Sequence, residues 1–345
     1  MHGAIHRFDS LPCVGSAPAP ELGLAGVPLR KVPLIGLIRN PRSHRNGGRE
    51  NAPVTNKFGP NVIAHAPARR SELAGILADF AREQVDYLAI DGGDGTVRDV
   101  LTCGAGIFGE SWPALIVLPH GKTNALAHDL GIPENWTLEA AIEATRRDRV
   151  VFRRPVVVTQ CENEQARVYG FVLGGGAFTT AIGLGQNAHE LGAFNAAVVG
   201  VTAVWGLVQA LFGSRGNPWR QGTPMRLSHP DGRELPHAGG GPEHERYLLL
   251  ASTLEALPAG VRPFGDAQGR LRLAVLDNAR RSLLLRMPLI VAGRAGAGTE
   301  RLGFHSLGAD ALQLEIADRF ILDGEAFPAG RYHLSAGPKL RFVVP

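Results

Sequence analysis

The sequence Asp91-Gly92-Gly93-Asp94-Gly95-Thr96 decides how the rest of the chain is interpreted. An apolar run at residues 87–90 precedes it, and a helix-like pattern begins at Val97. A strand, a glycine turn and a helix in this order direct backbone N–H groups and a helix N-terminus at one point, which favours an anion. Gly92, Gly93 and Gly95 allow positive φ and have no Cβ that would keep a phosphate away from the backbone. The same residues also suit an ordinary tight turn of an α/β domain, so the motif alone leaves both interpretations open.

The carboxylate of Asp94 needs a separate explanation, because an anion site repels a second negative charge. A cation between the carboxylate and a phosphate removes the conflict. Mg²⁺ is the obvious choice, since it is commonly held by one carboxylate, several waters and phosphate oxygens. The glycine loop therefore predicts a magnesium-dependent phosphate site at Asp94.

A second stretch repeats the same arrangement about thirty residues later. Residues 114–119 indicate a buried strand, and the polar loop His120-Gly121-Lys122-Thr123-Asn124 follows it. A short helix begins at Ala125, and Gly131-Ile132-Pro133 is a stop signal for it. Loops after successive parallel strands lie side by side at the carboxyl ends of the strands, where α/β sheets bind ligands. The two loops together predict one binding site.

Four blocks in this order resemble the diacylglycerol kinase-type lipid kinases, a family that includes bacterial lipid kinases and sphingosine and ceramide kinases. The blocks are Asn40-Pro41-Arg42-Ser43 with Gly47-Gly48, the GGDGT sequence, GKTNALAHDLGIP from Gly121, and Leu322-Asp323-Gly324-Glu325. The resemblance extends over residues 32–345. NAD kinases and phosphofructokinases share GGDGT, so the order of all four blocks carries the specificity.

The resemblance implies roles for particular residues. It implies ATP and Mg²⁺ as cofactors, with Asp94 and Glu325 linked to the metal and Asp323 as the general base that takes the proton of a lipid hydroxyl. Asp94, Asp323 and Glu325 are then the catalytic set. The implied nucleotide-binding residues are Asn40, Pro41, Ser43, Gly92, Gly93, Gly95, Thr96, Gly121, Lys122, Thr123 and Asn124. Basic side chains expected near the phosphates are Lys122, Arg42 and Arg45. Without the resemblance, Asp323-Gly324 would be interpreted as a hairpin turn.

The composition narrows the class of partner. The chain has 345 residues, a formal net charge of +4 and 6% aromatic residues. The small positive charge favours anionic surfaces such as a membrane leaflet or ATP, whereas the low aromatic content and the lack of an arginine-rich run argue against nucleic acid. Three cysteines without CxxC spacing indicate a reducing compartment and no zinc site. We therefore expect a cytoplasmic protein with peripheral membrane association; a homodimer is compatible with the sequence.

Composition and the pattern of apolar residues divide the chain into three parts. Residues 1–31 are rich in proline, alanine and glycine, and we expect a disordered or loosely packed extension. Residues 32–150 alternate strands and helices, which predicts a parallel-sheet α/β domain. The resemblance implies that it is a nucleotide-binding domain of the NAD kinase and diacylglycerol kinase type. Residues 151–337 contain short strands separated by turn signals, which predicts an antiparallel β-sandwich for the lipid substrate. By resemblance, residues 338–345 return to the first domain.

One apolar stretch requires comment. Residues 194–213 carry no charge over twenty positions, a length that could cross a bilayer. The stretch contains Asn195, Thr202 and Gln209, and the mean hydropathy of the whole chain is −0.01. We expect a buried or interfacial helix beside the lipid entrance.

These observations predict an ATP-dependent lipid kinase that phosphorylates a hydroxyl of diacylglycerol or ceramide. Ala181 and Gly183 stand where sphingosine kinases use an acidic side chain, which disfavours a cationic sphingoid base. An NAD kinase is an alternative, although GKTNALA and the terminal LDGE are not expected of one. Ala125 stands where many bacterial relatives have aspartate, so a catalytically impaired lipid-binding regulatory protein is a second alternative.

Overall fold

A mixed, largely parallel sheet forms the first part of the protein. The structure, a computed structural model, describes residues 8–14, 30, 32–46, 59–179, 220–296 and 298–345. The strands of this sheet are β1 (Ile35–Arg39), β2 (Val62–His65), β3 (Tyr87–Gly92), β4 (Ala114–Pro119), β5 (Val150–Arg153) and β18 (Leu340–Val343). Their order is β2-β1-β3-β4-β18-β5. Every pairing is parallel except that of β18 with β5.

The central strands are buried at every residue, as is typical of parallel strands covered on both faces. The helices of this part are α1 (Leu73–Arg82), α2 (Asp94–Phe108), α3 (Ala125–Asp129) and α4 (Leu138–Thr145). Leu73, Leu77 and Phe80 form the buried face of α1 at helical spacing. The Thr137 hydroxyl caps α4 by accepting a hydrogen bond from the Ala140 N–H at 3.3 Å. Residues 70–72 form a 3-10 turn before α1 begins.

Two antiparallel sheets of six strands form the second part. The strands of one sheet are β6 (Val156–Gln160), β7 (Asn163–Gly170), β9 (Thr223–Ser228), β10 (Glu245–Arg246), β14 (Ala311–Ile316) and β17 (Gly330–Ala336). The strands of the other are β8 (Val172–Gly176), β11 (Leu248–Ser252), β12 (Leu271–Leu276), β13 (Phe304–Ala309), β15 (Phe320–Leu322) and β16 (Glu325–Phe327). Their orders are β10-β9-β14-β17-β6-β7 and β13-β12-β11-β8-β15-β16.

Side chains from both antiparallel sheets share one apolar cluster. Leu249 and Leu273 enter it from one sheet, and Val158 and Leu334 from the other, all of them fully buried. The predicted fold class, a parallel α/β part followed by antiparallel all-β sheets, is confirmed at this level. Strand β18 brings the end of the chain back into the parallel sheet.

Two boundaries differ from the division drawn from the sequence. Strand β5 pairs with β18, so residues 151–153 lie in the first sheet and not in the second part. Residues 8–14 pack against the antiparallel sheets, although we expected residues 1–31 to be loose. Leu11 is only 3% exposed within the apolar cluster, and the Phe8 ring stacks on Phe327 with centroids 4.7 Å apart. Burial of these apolar side chains offsets the entropy cost of ordering the segment.

Three sequence predictions lie outside the described residues: the apolar stretch 194–213, the pair Gly47-Gly48, and the positions Ala181 and Gly183. Among the helices of the described ranges, none is both long and apolar enough to cross a membrane.

Candidate functional site

A cleft of about 710 Å³ lies at the carboxyl ends of β1, β2 and β3, where the sequence places its polar loops. Its size is in the range of small-molecule sites. Residues that line it are Ile38, Arg39, Asn40, Arg42, Ser43, Pro67, Ala68, Arg69, Arg70, Leu73, Gly93, Gly95, Thr96, Asp99, Lys122 and Glu325. The first, second and fourth sequence blocks therefore meet here, together with Lys122 of the third.

Hydrogen bonds tie the loop after β1 to both glycine loops. The Asn40 side-chain amide donates to the Thr96 hydroxyl at 2.9 Å, and the Asn40 side-chain oxygen accepts from the Arg42 N–H at 3.0 Å. The Ser43 hydroxyl donates to the His120 carbonyl at 2.7 Å. Asn40 and Ser43 thus fix the shape of the cleft wall, while Pro41 lies between them in the same turn.

Asp91, at the end of β3, contacts both the loop after β1 and the loop after β4. Its carboxylate accepts a hydrogen bond from the Asn46 side-chain amide at 2.8 Å and lies 2.5 Å from Nδ1 of His120. The Arg39 guanidinium is 3.6 Å away. Sequence reasoning missed Asn46 and His120 as parts of the site. A buried aspartate directly after an apolar strand was the available signal, since a buried carboxylate requires partners.

Gly92 and Gly93 serve close packing, and neither they nor Gly95 use the positive φ that glycine allows. Among the described residues, positive φ occurs at other glycines and not at these. A Cβ on Gly93 would lie 2.7 Å from the Gly121 Cα, and one on Gly121 would lie 2.4 Å from the Gly93 Cα. A Cβ on Gly92 would lie 2.4 Å from the Thr96 hydroxyl oxygen. The two loops are pressed together, backbone on backbone. Of the three glycines at 92, 93 and 95, Gly95 is the one where an added Cβ would have ordinary contacts, the nearest at 3.6 Å, and it lines the cleft.

Gly121→Ala is therefore expected to separate the two loops. Overpacking of this kind costs about 1–3 kcal/mol in the free energy of unfolding, measured by urea titration. Gly75→Ala is the matched control, because a Cβ there meets nothing within 4 Å in the middle of α1. The control is expected to gain roughly 0.5–1 kcal/mol from helix propensity. Equal effects of the two substitutions would contradict the packing argument.

Asp94 begins α2 and holds the N-terminus of α3. Its two carboxylate oxygens accept hydrogen bonds from the N–H groups of Ala125 at 2.9 Å and Leu126 at 3.1 Å. Burial raises the pKa of Asp94, and these hydrogen bonds oppose the shift. The predicted metal-linked carboxylate thus connects the two glycine loops and is not among the residues that line the cleft.

The other residues of the second loop divide by role. The Asn124 side chain folds the loop on itself, since its oxygen accepts from the Gly121 N–H at 2.9 Å and its amide donates to the Gly121 carbonyl at 3.1 Å. Lys122 lines the cleft, and Thr123 is exposed. Arg45, expected near the phosphates, instead pairs with the Glu134 carboxylate and does not line the cleft.

Asp323 stands in the two-residue turn between β15 and β16. Its φ of 47° and the φ of 80° at Gly324 are both positive, as a type I′ hairpin turn requires. The hairpin interpretation is thus correct as geometry, and the side chain still faces inward. Its carboxylate accepts hydrogen bonds from the N–H groups of Phe171 and Val172, the closest at 2.9 Å.

Asp323 and Asp94 come together although they are far apart in the sequence. Burial raises the pKa of Asp323 to about 7, and the negative charge of nearby Asp94 adds to the shift. The pKa of Asp94 is raised as well, so both carboxyl groups hold a proton more readily than ordinary aspartates. Strongly perturbed carboxyl groups that lie near each other are typical of a functional site.

Glu325 belongs to a cluster of ion pairs that sequence reasoning did not find. Its Oε1 atom lies 2.8 Å from the Arg98 guanidinium and also pairs with Arg70. Arg98 is 1% exposed, and Arg70 lies 2.5 Å from Asp99. The Oε2 atom of Glu325 is buried and has no hydrogen-bond partner. Arg98 links α2 to the second part of the protein, because it also donates to the Leu322 carbonyl at 3.3 Å.

Ala125 gives no acidic group to this site. Ala125 is buried, and its backbone N–H donates to the Asp94 carboxylate. Within the described ranges no group of three or more His, Cys, Asp or Glu residues could hold a metal ion alone. A metal here would need ligands from the substrate as well.

Comparison with known proteins agrees with the four blocks. Residues 35–153 match the family model of the diacylglycerol kinase catalytic domain. The diacylglycerol kinase of Bacillus subtilis (strain 168) is 30% identical over 149 residues, which cover 41% of this chain and 46% of that protein. The match therefore spans less than half of that relative.

Solved structures show the same fold over most of the chain. A putative diacylglycerol kinase from Bacillus anthracis str. Sterne gives a TM-score of 0.61 at 17% identity, covering 92% of this chain and 98% of that one. A second structure with a similar description gives 0.61 at 14% identity with the same coverage. The resemblance drawn from the sequence is confirmed over residues 35–153, the part of the chain that matches the diacylglycerol kinase catalytic domain.

Proposed function

We propose that the protein is an ATP- and magnesium-dependent lipid kinase that transfers the γ-phosphate to a hydroxyl of a neutral membrane lipid. The observation that carries the proposal is that Gly95 and Glu325 meet in the cleft, while Asp323 is near enough to Asp94 for its charge to raise the Asp323 pKa. Asp94 and Gly95 come from the first glycine loop, and Asp323 and Glu325 come from the antiparallel sheets. Phosphoryl transfer relies on positioning and charge more than on covalent catalysis, and this arrangement supplies both.

The cleft is suited to the phosphates of ATP. Its basic lining residues are Arg39, Arg42, Arg69, Arg70 and Lys122. Gly95 at the start of α2 brings the backbone N–H groups of a helix N-terminus to the same place, where they favour negative charge. The walls of the cleft are shaped by Asn40, Ser43, Thr96 and the loop around Gly121. The predicted nucleotide-binding residues therefore act mainly by fixing the shape of the cleft.

The residues fit a magnesium ion that is shared with the substrate. The buried Oε2 atom of Glu325 lacks a partner, and a cation is a partner that an uncompensated carboxylate oxygen favours. Mg²⁺ commonly binds through one or two carboxylates, waters and substrate phosphates, which agrees with a site that has few protein ligands. Glu325 would hold the ion, with Asp94 behind it, and the ion would neutralise charge on the phosphates.

Asp323 is the proposed acceptor of the proton of the lipid hydroxyl. Its Oδ1 atom accepts from both backbone N–H groups, whereas Oδ2 accepts only from Phe171 and retains a free lone pair. A pKa of about 7 suits a base that works near neutral pH. Proton transfer to Asp323 leaves an alkoxide-like oxygen for attack on the γ-phosphate, and Arg98 limits the charge that builds up on the acidic cluster.

The pH dependence of the reaction tests this role. A general base must be deprotonated, so kcat/KM is expected to rise with pH and to level off above the pKa of about 7 of Asp323. Initial rates between pH 5 and 9 in mixed micelles measure it. A profile that is flat between pH 5 and 8 would exclude Asp323 as the base.

Diacylglycerol and ceramide are the proposed acceptors, and peripheral contact with an anionic leaflet from the cytoplasmic side would bring the enzyme to them. Radiolabelled ATP, Mg²⁺ and a panel of acceptors that includes both lipids and NAD separate the alternatives, with products identified by chromatography. Label in one of the two lipids supports the proposal. Label in NAD alone supports an NAD kinase. Lipid binding without any turnover supports a regulatory protein, which the buried methyl of Ala125 would favour.

A further inference from the structure

A second cavity of about 450 Å³ lies away from the proposed active site. Lys339 directly precedes β18, which runs parallel to β4, so the cavity is at the amino ends of the strands, opposite the glycine loops. The basic residues that line it are Arg153, Arg154, Arg262, Arg270, Arg272 and Lys339. They come from the edge of the parallel sheet and from the loop before β12.

The cavity carries an excess of positive charge. Glu255 and Asp266 line the cavity beside the six basic side chains, and Asp129 and Asp310 pair with Arg153 and Arg270 from outside the lining, which leaves two positive charges. Glu255 is committed to Arg153 at 3.0 Å, and Asp266 lies 4.0 Å from Arg262 with its side chain 98% exposed. Cations gathered in a concave site focus a field that attracts an anion.

Arg272 shows that the protein itself does not neutralise this charge. It is half-buried, and no ion pair joins it to a carboxylate within the described residues. Its guanidinium lies over the Phe264 ring at 5.6 Å. Burial lowers the pKa of Arg272, which is the expected effect when a cation is desolvated without a close counter-charge.

Thr253 gives an independent indication of a ligand. It lines the cavity and is 9% exposed, and among the described residues its buried hydroxyl oxygen has no hydrogen-bond partner. Buried hydroxyl groups are normally paired, so an acceptor is missing at this position. An anion in the cavity would supply one.

We infer that this cavity binds a phosphate-type anion, with Arg272, Lys339 and Thr253 as its contacts. Arg153 frames the site, because its guanidinium is held by the Asp129 carboxylate at 2.5 Å and by Glu255. Planar guanidinium groups match phosphate oxygens, and the lysine adds a point charge. A free phosphate and the phosphate group of a lipid share this chemistry.

Isothermal titration calorimetry with inorganic pyrophosphate tests the site, with the glycine-loop cleft first saturated by a non-hydrolysable ATP analogue. We expect the wild type to bind one pyrophosphate. The double variant Arg272→Gln/Lys339→Gln should bind at least roughly tenfold more weakly, because hydrogen bonds between charged groups are lost. The control Arg82→Gln/Arg146→Gln removes the same charge from exposed helix positions and should retain wild-type affinity.

A second variant keeps the test valid if the double variant does not fold. Thr253→Val preserves the shape of the side chain and removes a hydroxyl that has no partner, so thermal stability should be retained while pyrophosphate affinity falls. No binding by the wild type, or an equal loss in the control, would overturn the inference.

Vesicles distinguish the two sources of phosphate. Sedimentation is compared between vesicles of phosphatidylcholine alone and vesicles that also contain phosphatidic acid. If the double variant loses both pyrophosphate and phosphatidic acid binding, the site takes a lipid headgroup. If it loses pyrophosphate alone, the site takes a free phosphate compound. Retention of pyrophosphate binding by the double variant would refute the site in either case.

Discussion

Asp323→Asn is expected to lower kcat for lipid phosphorylation by about 10²–10⁴-fold, the usual contribution of general-base catalysis. The amide has nearly the same shape, and its oxygen can still accept from the Phe171 and Val172 N–H groups. It cannot take a proton from the acceptor. The affinity for ATP should change little, because the cleft that would bind the nucleotide is lined by other residues. Steady-state rates with ATP and lipid varied separately measure both quantities.

Asp318→Asn provides the matched control for this substitution. It makes the same chemical change at an exposed position just before β15, and it should leave both kcat and KM unaltered. A kcat for Asp323→Asn within a factor of a few of the wild type would remove Asp323 from the mechanism. A large rise in KM for ATP would instead place Asp323 in nucleotide binding.

Thermal unfolding gives a readout for Asp323 that does not depend on activity. Its pKa of about 7 in the folded protein lies above the ordinary value for an unfolded aspartate, about 3.9. The stability that this carboxyl contributes is therefore complete below pH 4 and is lost as the pH rises through 7. Asparagine does not titrate, so the variant does not lose this stability as the pH rises. The Tm of Asp323→Asn minus the Tm of the wild type should therefore increase between pH 5 and pH 8. A constant difference would contradict the raised pKa.

Arg98→Met should lower the free energy of unfolding by about 3–5 kcal/mol, as when one partner of a buried ion pair is removed. The substitution leaves Glu325, Asp99 and the Leu322 carbonyl without their shared donor, in a position that is 1% exposed in the native protein. Methionine fills much of the volume, so the loss reports on charge. Urea titration followed by circular dichroism measures it.

Arg82→Met is the control for Arg98→Met. Arg82 forms an exposed ion pair with Asp79 within α1, and such pairs contribute little. Its change should stay within about 0.5 kcal/mol. Equal effects of the two substitutions would show that Arg98 does not join the two parts of the protein.

The sequence was informative where local chemistry controls the structure. Strands β3 and β4 follow from apolar runs, and the polar loops after them lie at the carboxyl ends of parallel strands. Asp323 could be assigned to the site only through the family resemblance, because its own neighbourhood predicts a hairpin turn, and the structure indeed has that turn. The turn and the inward carboxylate are compatible, since positive φ at both central residues still lets the side chain reach the Phe171 and Val172 N–H groups.

The sequence was uninformative where distant residues meet. Arg98 looks like a solvated helix residue until Glu325, more than two hundred positions away, packs against it. The packing of Gly93 against Gly121 was not predicted for the same reason: each is small because the other lies against it. Phe8 and Leu11 lie in a segment whose composition suggests disorder, and they are ordered by a surface formed much later in the chain. Local patterns contain no information about such partners.

The central claim is that the γ-phosphate of ATP and a lipid hydroxyl meet between Asp94 and Asp323. The measurement that tests it most directly is single-turnover transfer of radiolabelled γ-phosphate from ATP to diacylglycerol in mixed micelles, with and without Mg²⁺. The account predicts that label appears in the lipid only with Mg²⁺ and that Asp323→Asn slows its appearance while ATP remains bound. Wild-type protein that binds ATP and Mg²⁺ but leaves all label in ATP or free phosphate, with none in diacylglycerol or ceramide, would contradict it.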